Sequence, residues 1–167
     1  MLKFNRMACN FQTELIILYS EYAEIGYKEN KGEMMTKANH LSLGRKGEEV
    51  AAEYLKEKGY DLLFKNYRAG NGEIDIIARN KGIVVIIEVK SYQAEPLGAP
   101  EFRVNKNKQK MIIRTAHSFL TEYEEYRNLD MRFDVILVNF SSWPVEITHH
   151  KAAFYNDNYW NDNYYNN

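Results

Sequence analysis

Two carboxylates and a lysine, on segments that are neighbours in the chain, could together carry out metal-assisted chemistry. Glu88 and Lys90 stand in the apolar run Ile83–Tyr92, and Asp75 stands in the preceding segment Glu73–Arg79. Carboxylate oxygens are hard ligands that suit Mg²⁺ or Mn²⁺, and these ions keep water or phosphate in their remaining positions. A lysine beside such an ion could orient an attacking water or stabilise charge on a phosphate. The residue types therefore indicate a site for attack on a phosphate ester.

The alternation of side chains along a strand determines whether these three residues can meet. Successive side chains point to opposite faces, so Glu88 and Lys90 share one face of their predicted strand. A hairpin turn is predicted at residues 80–82. If the turn is centred on Lys81-Gly82, Asp75 lies directly opposite Glu88; if it is centred one residue earlier, Asp75 lies diagonal to Glu88. In both registers the two carboxylates point to the same side of the sheet.

An ordinary ion pair is the alternative interpretation of the same residues. Apolar residues on both faces of Ile83–Tyr92 predict a central strand that is buried on both sides. A charge on such a strand needs a partner, because an isolated buried charge is very costly. Lys90 could neutralise Glu88 while Asp75 is exposed to solvent. The pattern of residues alone leaves both interpretations open.

A mixed α/β fold is expected to hold these strands in place. Ser42 is a plausible N-cap for a first helix, and Gly59 is a plausible stop. The predicted order is α-β-β-β-α-β, a mixed central sheet flanked by helices. The predicted elements are a helix over Leu43–Lys58, strands over Tyr60–Arg68, Glu73–Arg79 and Ile83–Tyr92, a second helix that buries Met111, Ile112, Thr115, Ala116, Phe119 and Leu120, a strand over Phe133–Phe140 and a fifth strand over Val145–His149.

Length and composition favour one globular domain between two extensions. The chain has 167 residues, of which 45% are apolar and 27% are charged, and Cys9 is its only cysteine. A disulfide framework is thereby excluded, and a cytoplasmic location is expected because no apolar run is long enough to span a bilayer. We assign the domain to residues 35–154. Residues 1–34 are expected to be an N-terminal extension that is disordered or lies before the true translation start, and residues 155–167 an Asn/Tyr-rich disordered tail.

A basic stretch follows the predicted third strand. No Asp or Glu stands between Arg103 and Arg114, whereas Lys106, Lys108 and Lys110 all lie there. A stripe of this kind could neutralise the phosphates of a nucleic acid. The alternative is an ordinary solvated helix face. The net charge of −1 decides nothing, because clustering rather than total charge marks a nucleic-acid interface.

Five short motifs follow one another along the chain: Gly44-Arg45-Lys46-Gly47-Glu48, Asn66-Tyr67-Arg68, Gly72-Glu73-Ile74-Asp75-Ile76-Ile77-Ala78, Glu88-Val89-Lys90 and Arg132-Phe133-Asp134-Val135. Each motif alone is common, but five in this order are specific. Over roughly residues 35 to 154 they resemble the YraN family of small bacterial proteins. That family is similar to the restriction-endonuclease-like PD-(D/E)xK nucleases and to archaeal Holliday-junction resolvases.

The resemblance implies an active site with a divalent metal ion. It implies that Asp75 and Glu88 bind Mg²⁺ or Mn²⁺, that the Val89 carbonyl is a third ligand and that Lys90 is the catalytic lysine. It further implies that Glu48 projects from the first helix to the same site, as a ligand or as a group that positions water. The alternative for Glu48 is an acid favoured by the dipole at the start of its helix.

Several other positions have two interpretations each. Lys108 matches a basic position of the family's second helix, so it could contact phosphate or be solvated; Arg103, Lys106 and Lys110 are grouped with it as nucleic-acid contacts. Tyr92 departs from the family, where an Arg is usual, and could stack on a base instead. Glu73 could be an outer ligand or an exposed residue. Arg132 and Asp134 are expected to form an internal ion pair rather than part of the site.

The function expected from the resemblance is a metal-dependent endonuclease that acts on branched or otherwise structured DNA. A non-catalytic nucleic-acid-binding or accessory protein on the same fold is the alternative, because a fold does not determine a function. RNA as the substrate also stays open. By analogy with resolvases, whose substrate has two-fold symmetry, a homodimer is an expectation, and no membrane partner is expected.

Overall fold

A five-stranded sheet with one helix packed on each face makes up the part of the chain that the structure describes. The structure is a computed structural model, and it describes residues 37–93, 104–141 and 144–154. The predicted extension 1–34, the predicted tail 155–167 and Arg103 lie outside the described residues. The elements are α1 (Lys37–Glu57), β1 (Asp61–Ala69), β2 (Gly72–Asn80), β3 (Ile83–Tyr92), α2 (Lys106–Glu122), a 3₁₀ turn (Glu124–Tyr126), β4 (Met131–Asn139) and β5 (Glu146–Phe154).

The strands lie in the order in which they occur in the chain, from β1 to β5. The β3–β4 pair is parallel, and the β1–β2, β2–β3 and β4–β5 pairs are antiparallel. A parallel pair needs a crossover connection, and α2 lies in that connection. The predicted α/β class, with a mixed sheet and an α-β-β-β-α-β core, is therefore confirmed.

Two apolar clusters hold the helices against the sheet. On one face, Ala51 and Leu55 of α1 belong to a cluster that also contains Val85 and Ile87 of β3. On the other face, Phe119 of α2 belongs to a cluster that also contains Val84 and Ile86. Burial of a side chain such as Leu55 contributes about 1.5–3 kcal/mol. Strand β3 is therefore buried on both faces, as its continuous apolar sequence predicts.

The turn between β2 and β3 determines which register the hairpin adopts. Asn80 pairs with Ile83, so Lys81 and Gly82 alone form the loop. Their φ angles are 51° and 80°, both in the left-handed region that the type I′ hairpin turn requires. Glycine adopts this conformation at little cost, which explains Gly82. The pairing continues to Ile76 opposite Ile87, which is the register predicted for a turn centred on Lys81-Gly82.

Strands β1 and β2 break strict alternation close to Asp75. Phe64 and Tyr67, three residues apart, both pack on the α2 side, and so do Ile74 and Ile77. Ile76 packs on the α1 side. Asn66 lies within this region of β1 with φ of 53°, a conformation that Asn tolerates better than most residues. Ile74 and Ile76, two residues apart, therefore lie on opposite faces of the sheet, which strict alternation would not allow.

Three other details differ from the sequence prediction. The first helix begins at Lys37, so Ser42 lies within it and is not its N-cap. Met111 is 39% exposed and Leu120 is only partly buried, whereas α2 buries Ile112, Thr115, Ala116 and Phe119 as predicted. Strand β5 continues to Phe154, five residues beyond the predicted end at His149. In the described ranges, no helix is long and apolar enough to cross a membrane.

Candidate metal and phosphate site

Glu88 is the most buried charged group of the candidate site, with a side chain only 2% exposed. The Lys90 ammonium donates a hydrogen bond to its Oε1 atom. The Lys108 ammonium lies 3.2 Å from its Oε2 atom. That second contact is an ion pair without hydrogen-bond geometry, and Oε2 accepts no hydrogen bond from the described residues. One oxygen of a buried carboxylate thus keeps its lone pairs available for a cation.

Asp75 shares this environment through its charge and through the backbone of β3. Its Oδ2 atom accepts a hydrogen bond of 2.7 Å from the Val89 N–H. Burial, and then the negative charge of Glu88, raise the pKa of Asp75 to about 7. The Val89 N–H and the charges of Lys90 and Lys108 oppose this rise. Ionisation of Asp75 is therefore unfavourable beside Glu88 unless more positive charge is supplied.

Local structure explains why these side chains meet. The two-residue turn brings β2 back along β3, and after the ladder ends at Ile76 and Ile87 the Asp75 carboxylate takes the place of a backbone acceptor for Val89. Lys108 arrives from the first turn of α2. Asn105 caps that helix, because its side-chain oxygen accepts a hydrogen bond of 3.0 Å from the Lys108 N–H.

The donor set fits a hard divalent cation only in part. Asp75 and Glu88 offer carboxylate oxygens, the ligands that Mg²⁺ and Mn²⁺ prefer, and Glu88 Oε2 is buried without a hydrogen bond. In the described part of the chain, however, no three His, Cys, Asp or Glu side chains are grouped so that they could hold a metal ion. A cation at the two acids would need further oxygens from the backbone, from water or from a substrate.

Glu48 lies on α1, where its side chain hydrogen-bonds with Asn66. Burial is the main cause of its raised pKa, and the charge of Glu73 adds to the rise. Gly47 allows α1 to approach β3 closely, because a Cβ atom there would lie 1.7 Å from Ser91 Oγ. The structure therefore brings Glu48 to Asn66, opposite the Asp75 region of β2, and its role at the metal stays a prediction.

The remaining predicted contacts are distributed around α2 and the end of β3. Lys106 and Lys110 are exposed on α2. Tyr92 is half-buried and packs against the α2-side core, while its carbonyl accepts a hydrogen bond from the Phe140 N–H. Glu73 forms an exposed ion pair with Arg68. Contact of Lys106, Lys110 and Tyr92 with nucleic acid stays a prediction, as does an outer-ligand role for Glu73.

A second buried carboxylate, Asp134, lies on the other side of the sheet. Arg132 donates to both of its oxygens, at 2.8 and 2.9 Å, which confirms the predicted internal ion pair. His149 Nε2 lies 2.9 Å from Oδ2, and the Ala152 N–H donates to Oδ1. Burial alone would raise the pKa of Asp134, but the hydrogen bonds from His149, Arg132 and Ala152 lower it below the ordinary 3.8.

No pattern in the sequence indicates the contacts that His149 and Ala152 make in this network. Ala152 has φ of 53°, and the β4–β5 register shifts between Phe133 and Val135, so the irregularity in β5 presents the Ala152 N–H to Asp134. His149 is also held by an edge contact with the Tyr54 ring of α1, with 5.8 Å between the ring centroids. A bulge of this kind has no local signature in a pattern of apolar residues.

Comparisons with known proteins place the candidate residues inside a family region. The model of the uncharacterised protein family UPF0102 matches residues 47–138. That range contains Glu48, Asp75, Glu88, Lys90, Lys108 and Asp134. A UPF0102 protein of Treponema denticola is 45% identical over 123 residues, which cover 68% of this chain and 95% of that protein. A UPF0102 protein of Syntrophotalea carbinolica is 41% identical over 114 residues, covering 68% and 92%. One of Thermodesulfovibrio yellowstonii is 39% identical over 115 residues, covering 69% and 97%.

Proposed function

This chain belongs to the UPF0102 family, an uncharacterised family, and from its own site we propose that it is a metal-dependent nuclease that hydrolyses phosphodiester bonds in DNA. The observation that carries the proposal is the proximity of the half-buried Asp75 to the buried Glu88: the pKa of Asp75 is raised first by desolvation and then by repulsion from the charge of Glu88. A divalent cation between the two carboxylates would offset that repulsion, whereas a purely structural pair gains nothing from it.

The residues divide into those that would hold the ion and those that would act on the substrate. Asp75 and Glu88 would hold Mg²⁺ or Mn²⁺, with the Val89 carbonyl as a third ligand and Glu48 as a further ligand or a residue that positions water. The bound ion supplies the charge that polarises a phosphoryl oxygen and makes water more acidic. Lys90 and Lys108 offset these carboxylates in the metal-free site, and a bound cation would add the positive charge that attracts an anionic substrate.

Lys90 is the proposed catalytic lysine. Its side chain is 32% exposed while its ammonium donates to Glu88 Oε1, so it reaches from the buried carboxylate to the solvent side of the site. From that position it would orient the attacking water or stabilise negative charge on the phosphate. Lys106 and Lys110 would contact flanking phosphates, contacts that weaken as the salt concentration rises.

The proposed target is branched or otherwise structured DNA, acted on by a homodimer in the cytoplasm. The resemblance to Holliday-junction resolvases supports this choice of substrate. A two-fold symmetric junction has two equivalent strands to cut, and a symmetric dimer would present one site to each. Tyr92 would extend the contact surface beyond the site by stacking on a base, and Arg103, which lies outside the described residues, is proposed only by its charge as a further phosphate contact.

The test is a panel of labelled substrates incubated with Mg²⁺ or Mn²⁺. Duplex, single-stranded, forked and four-way DNA are compared with an RNA duplex, and products are resolved on a gel. Asp75→Asn and Lys90→Ala are each expected to lower the rate by about 100-fold or more, the range for loss of a group that acts in the transition state. Lys81→Ala, in the exposed turn of the same hairpin, is the matched control and should cleave normally. Cleavage that persists in both site variants would contradict the proposal.

A non-catalytic nucleic-acid-binding protein is the second candidate. The observation that favours it is that Lys90 and Lys108 already place positive charge against both oxygens of Glu88. Calorimetric titration with Mn²⁺ separates the two candidates. Absence of binding to the native protein, and no change on Glu88→Ala, would favour this second function; binding that Glu88→Ala removes would favour the nuclease.

A further inference from the structure

We propose that Lys108 is a phosphate contact that metal binding releases: it neutralises Glu88 in the metal-free protein and transfers to a phosphate of the nucleic acid when a cation occupies the site. This inference rests on the proposed function, since it concerns the same two acids. It adds that cation binding and nucleic-acid binding assist one another, and it assigns that coupling to one side chain.

Two lysines share the carboxylate of Glu88. Lys90 and Lys108 approach different oxygens of Glu88, and the carboxylate is almost fully buried. A cation that binds Glu88 through Oε2 would therefore occupy the side of the carboxylate that faces Lys108. Two positive groups cannot share that side of a buried oxygen without strong repulsion, because the surroundings screen charge poorly.

Two acids and two lysines determine the net charge of the metal-free site. Asp75 and Glu88 carry at most two negative charges, and Lys90 and Lys108 carry two positive charges that act on them. With both acids ionised, the metal-free site is thus electrically balanced. A divalent cation adds two further positive charges, so the loaded site attracts an anion. A phosphodiester supplies the negative charge, and a released ammonium beside it completes the neutralisation.

Lys108, rather than Lys90, is the lysine that a cation would displace from Glu88. Lys90 donates a hydrogen bond to Glu88 and stands two residues away on the same strand. Lys108 has only an ion pair at 3.2 Å, comes from a different element, and has a side chain 29% exposed, so its ammonium can turn toward solvent. It also lies on α2 between Lys106 and Lys110, which are both exposed. Lys106 and Lys110, four residues apart, share the solvent face of α2, whereas Lys108 lies on the face turned toward Glu88.

Two titrations on the full chain test the inference. Mn²⁺ affinity is measured by calorimetry without nucleic acid, and affinity for a labelled four-way DNA is measured by fluorescence anisotropy with and without Mn²⁺, the DNA being checked for integrity afterwards. Lys108→Met should bind Mn²⁺ about fivefold more tightly or better, because the competing ammonium is gone, and should lose the Mn²⁺-induced gain in DNA affinity. Lys108→Arg, which keeps the charge, should behave like the native protein.

Lys110→Met is the matched control, because it removes the same charge from the same helix at an exposed position. It should leave Mn²⁺ affinity unchanged and weaken DNA binding equally with and without Mn²⁺. Native Mn²⁺ binding that Glu88→Gln removes but Lys108→Met leaves unchanged would overturn the role of Lys108 and support the metal site. Tighter Mn²⁺ binding in Lys90→Met instead would also overturn it, by identifying Lys90 as the group displaced. Absence of Mn²⁺ binding in every variant would overturn the proposed function itself.

Discussion

Asp134 and Glu88 are both buried carboxylates with basic partners, but they lie on opposite sides of the sheet and differ in how their oxygens are bound. Asp134 accepts from two Arg132 groups, from His149 and from the Ala152 N–H, and its pKa is lowered. Glu88 has one hydrogen-bonded lysine and one looser ion pair, and its charge helps to raise the pKa of Asp75.

The comparison shows that residue types alone do not distinguish a structural network from a functional site. Both groups of residues combine acids with Arg or Lys on sheet strands. At Asp134 the donors suffice to hold the carboxylate charged, so nothing further is needed. At Asp75 and Glu88 the donors leave the pKa of Asp75 raised, and under the proposed function a bound cation would lower it. Four measurements would test this contrast between the Asp134 group and the Asp75–Glu88 pair.

The largest expected effect is the loss of stability in Asp134→Ala. Removal of this carboxylate leaves the Arg132 guanidinium and the Ala152 N–H without their buried acceptor. Breaking a buried pair in this way costs about 3–5 kcal/mol of the free energy of unfolding. Urea denaturation followed by circular dichroism measures it. Glu88→Gln is the matched substitution on the other side, and an equal loss there would remove the distinction between the two groups.

The next effect is stabilisation by the cation. If Asp75 and Glu88 bind Mn²⁺ only in the folded state, Mn²⁺ at about 100 times its Kd raises the free energy of unfolding by about 2.7 kcal/mol. Urea denaturation with and without Mn²⁺ gives this difference. Glu88→Gln should lose the effect, whereas Arg132→Lys, which keeps the charge beside Asp134, should retain it. A gain that survives in Glu88→Gln would show that the cation binds elsewhere.

A smaller effect is expected from Gly47→Ala, which forces α1 away from β3. The new Cβ would lie 1.7 Å from Ser91 Oγ, and overpacking of this kind costs about 1–3 kcal/mol. Because α1 packs on the Asp134 side, stability should fall while Mn²⁺ affinity falls less than in Glu88→Gln. Ser91→Gly in the same chain removes the clashing side chain and should restore stability. Failure of that rescue would mean that the strain lies elsewhere.

The smallest effect, taken per pH unit, is a pH dependence of opposite sign in the two groups. The pKa of Asp75 is raised from 3.8 to about 7, so the folded state binds its proton more tightly, and stability falls as pH rises through that window. The slope is at most about 1.4 kcal/mol per pH unit for one proton. Asp75→Asn should flatten it in metal-free urea titrations. A slope that persists in Asp75→Asn would assign the proton to another group.

Asp134 titrates in the other direction. Its pKa is lowered below 3.8, so its contribution to stability is present above that pH and is lost as pH falls through the folded-state value. Asp134→Asn should therefore lose the acid-side decline in stability and leave the neutral window unchanged.

The parts of the site that are close together in the chain could be predicted from the sequence. Strand alternation and a two-residue turn are local rules, and they were enough to bring Asp75 to Glu88 and to put Lys90 on the same face. The same local rules allow two registers for the β2–β3 hairpin. The positive φ angles at Lys81 and Gly82 show that the turn is centred on these two residues.

The parts that depend on distant pairing could not be derived in the same way. The contact of Lys108 with Glu88 requires the crossover helix to lie at one particular height over β3, and apolar periodicity fixes only the face that a helix buries. The contact of the Ala152 N–H with Asp134 accompanies the irregularity in β5, and the break in alternation near Asp75 accompanies the positive φ angle of Asn66 on the neighbouring strand. Such irregularities follow from tertiary packing rather than from local pattern.

The two-residue turn at Lys81-Gly82 also implies an order of assembly during folding. A tight hairpin closes a very short loop and forms in about 1–10 μs, well before a crossover connection is complete. Asp75 and Glu88 would then meet as two like charges before α2 delivers Lys108. In that early species only Lys90 would stand against the repulsion. The turn thus brings the two acids together through the local chain alone, before α2 adds the second lysine.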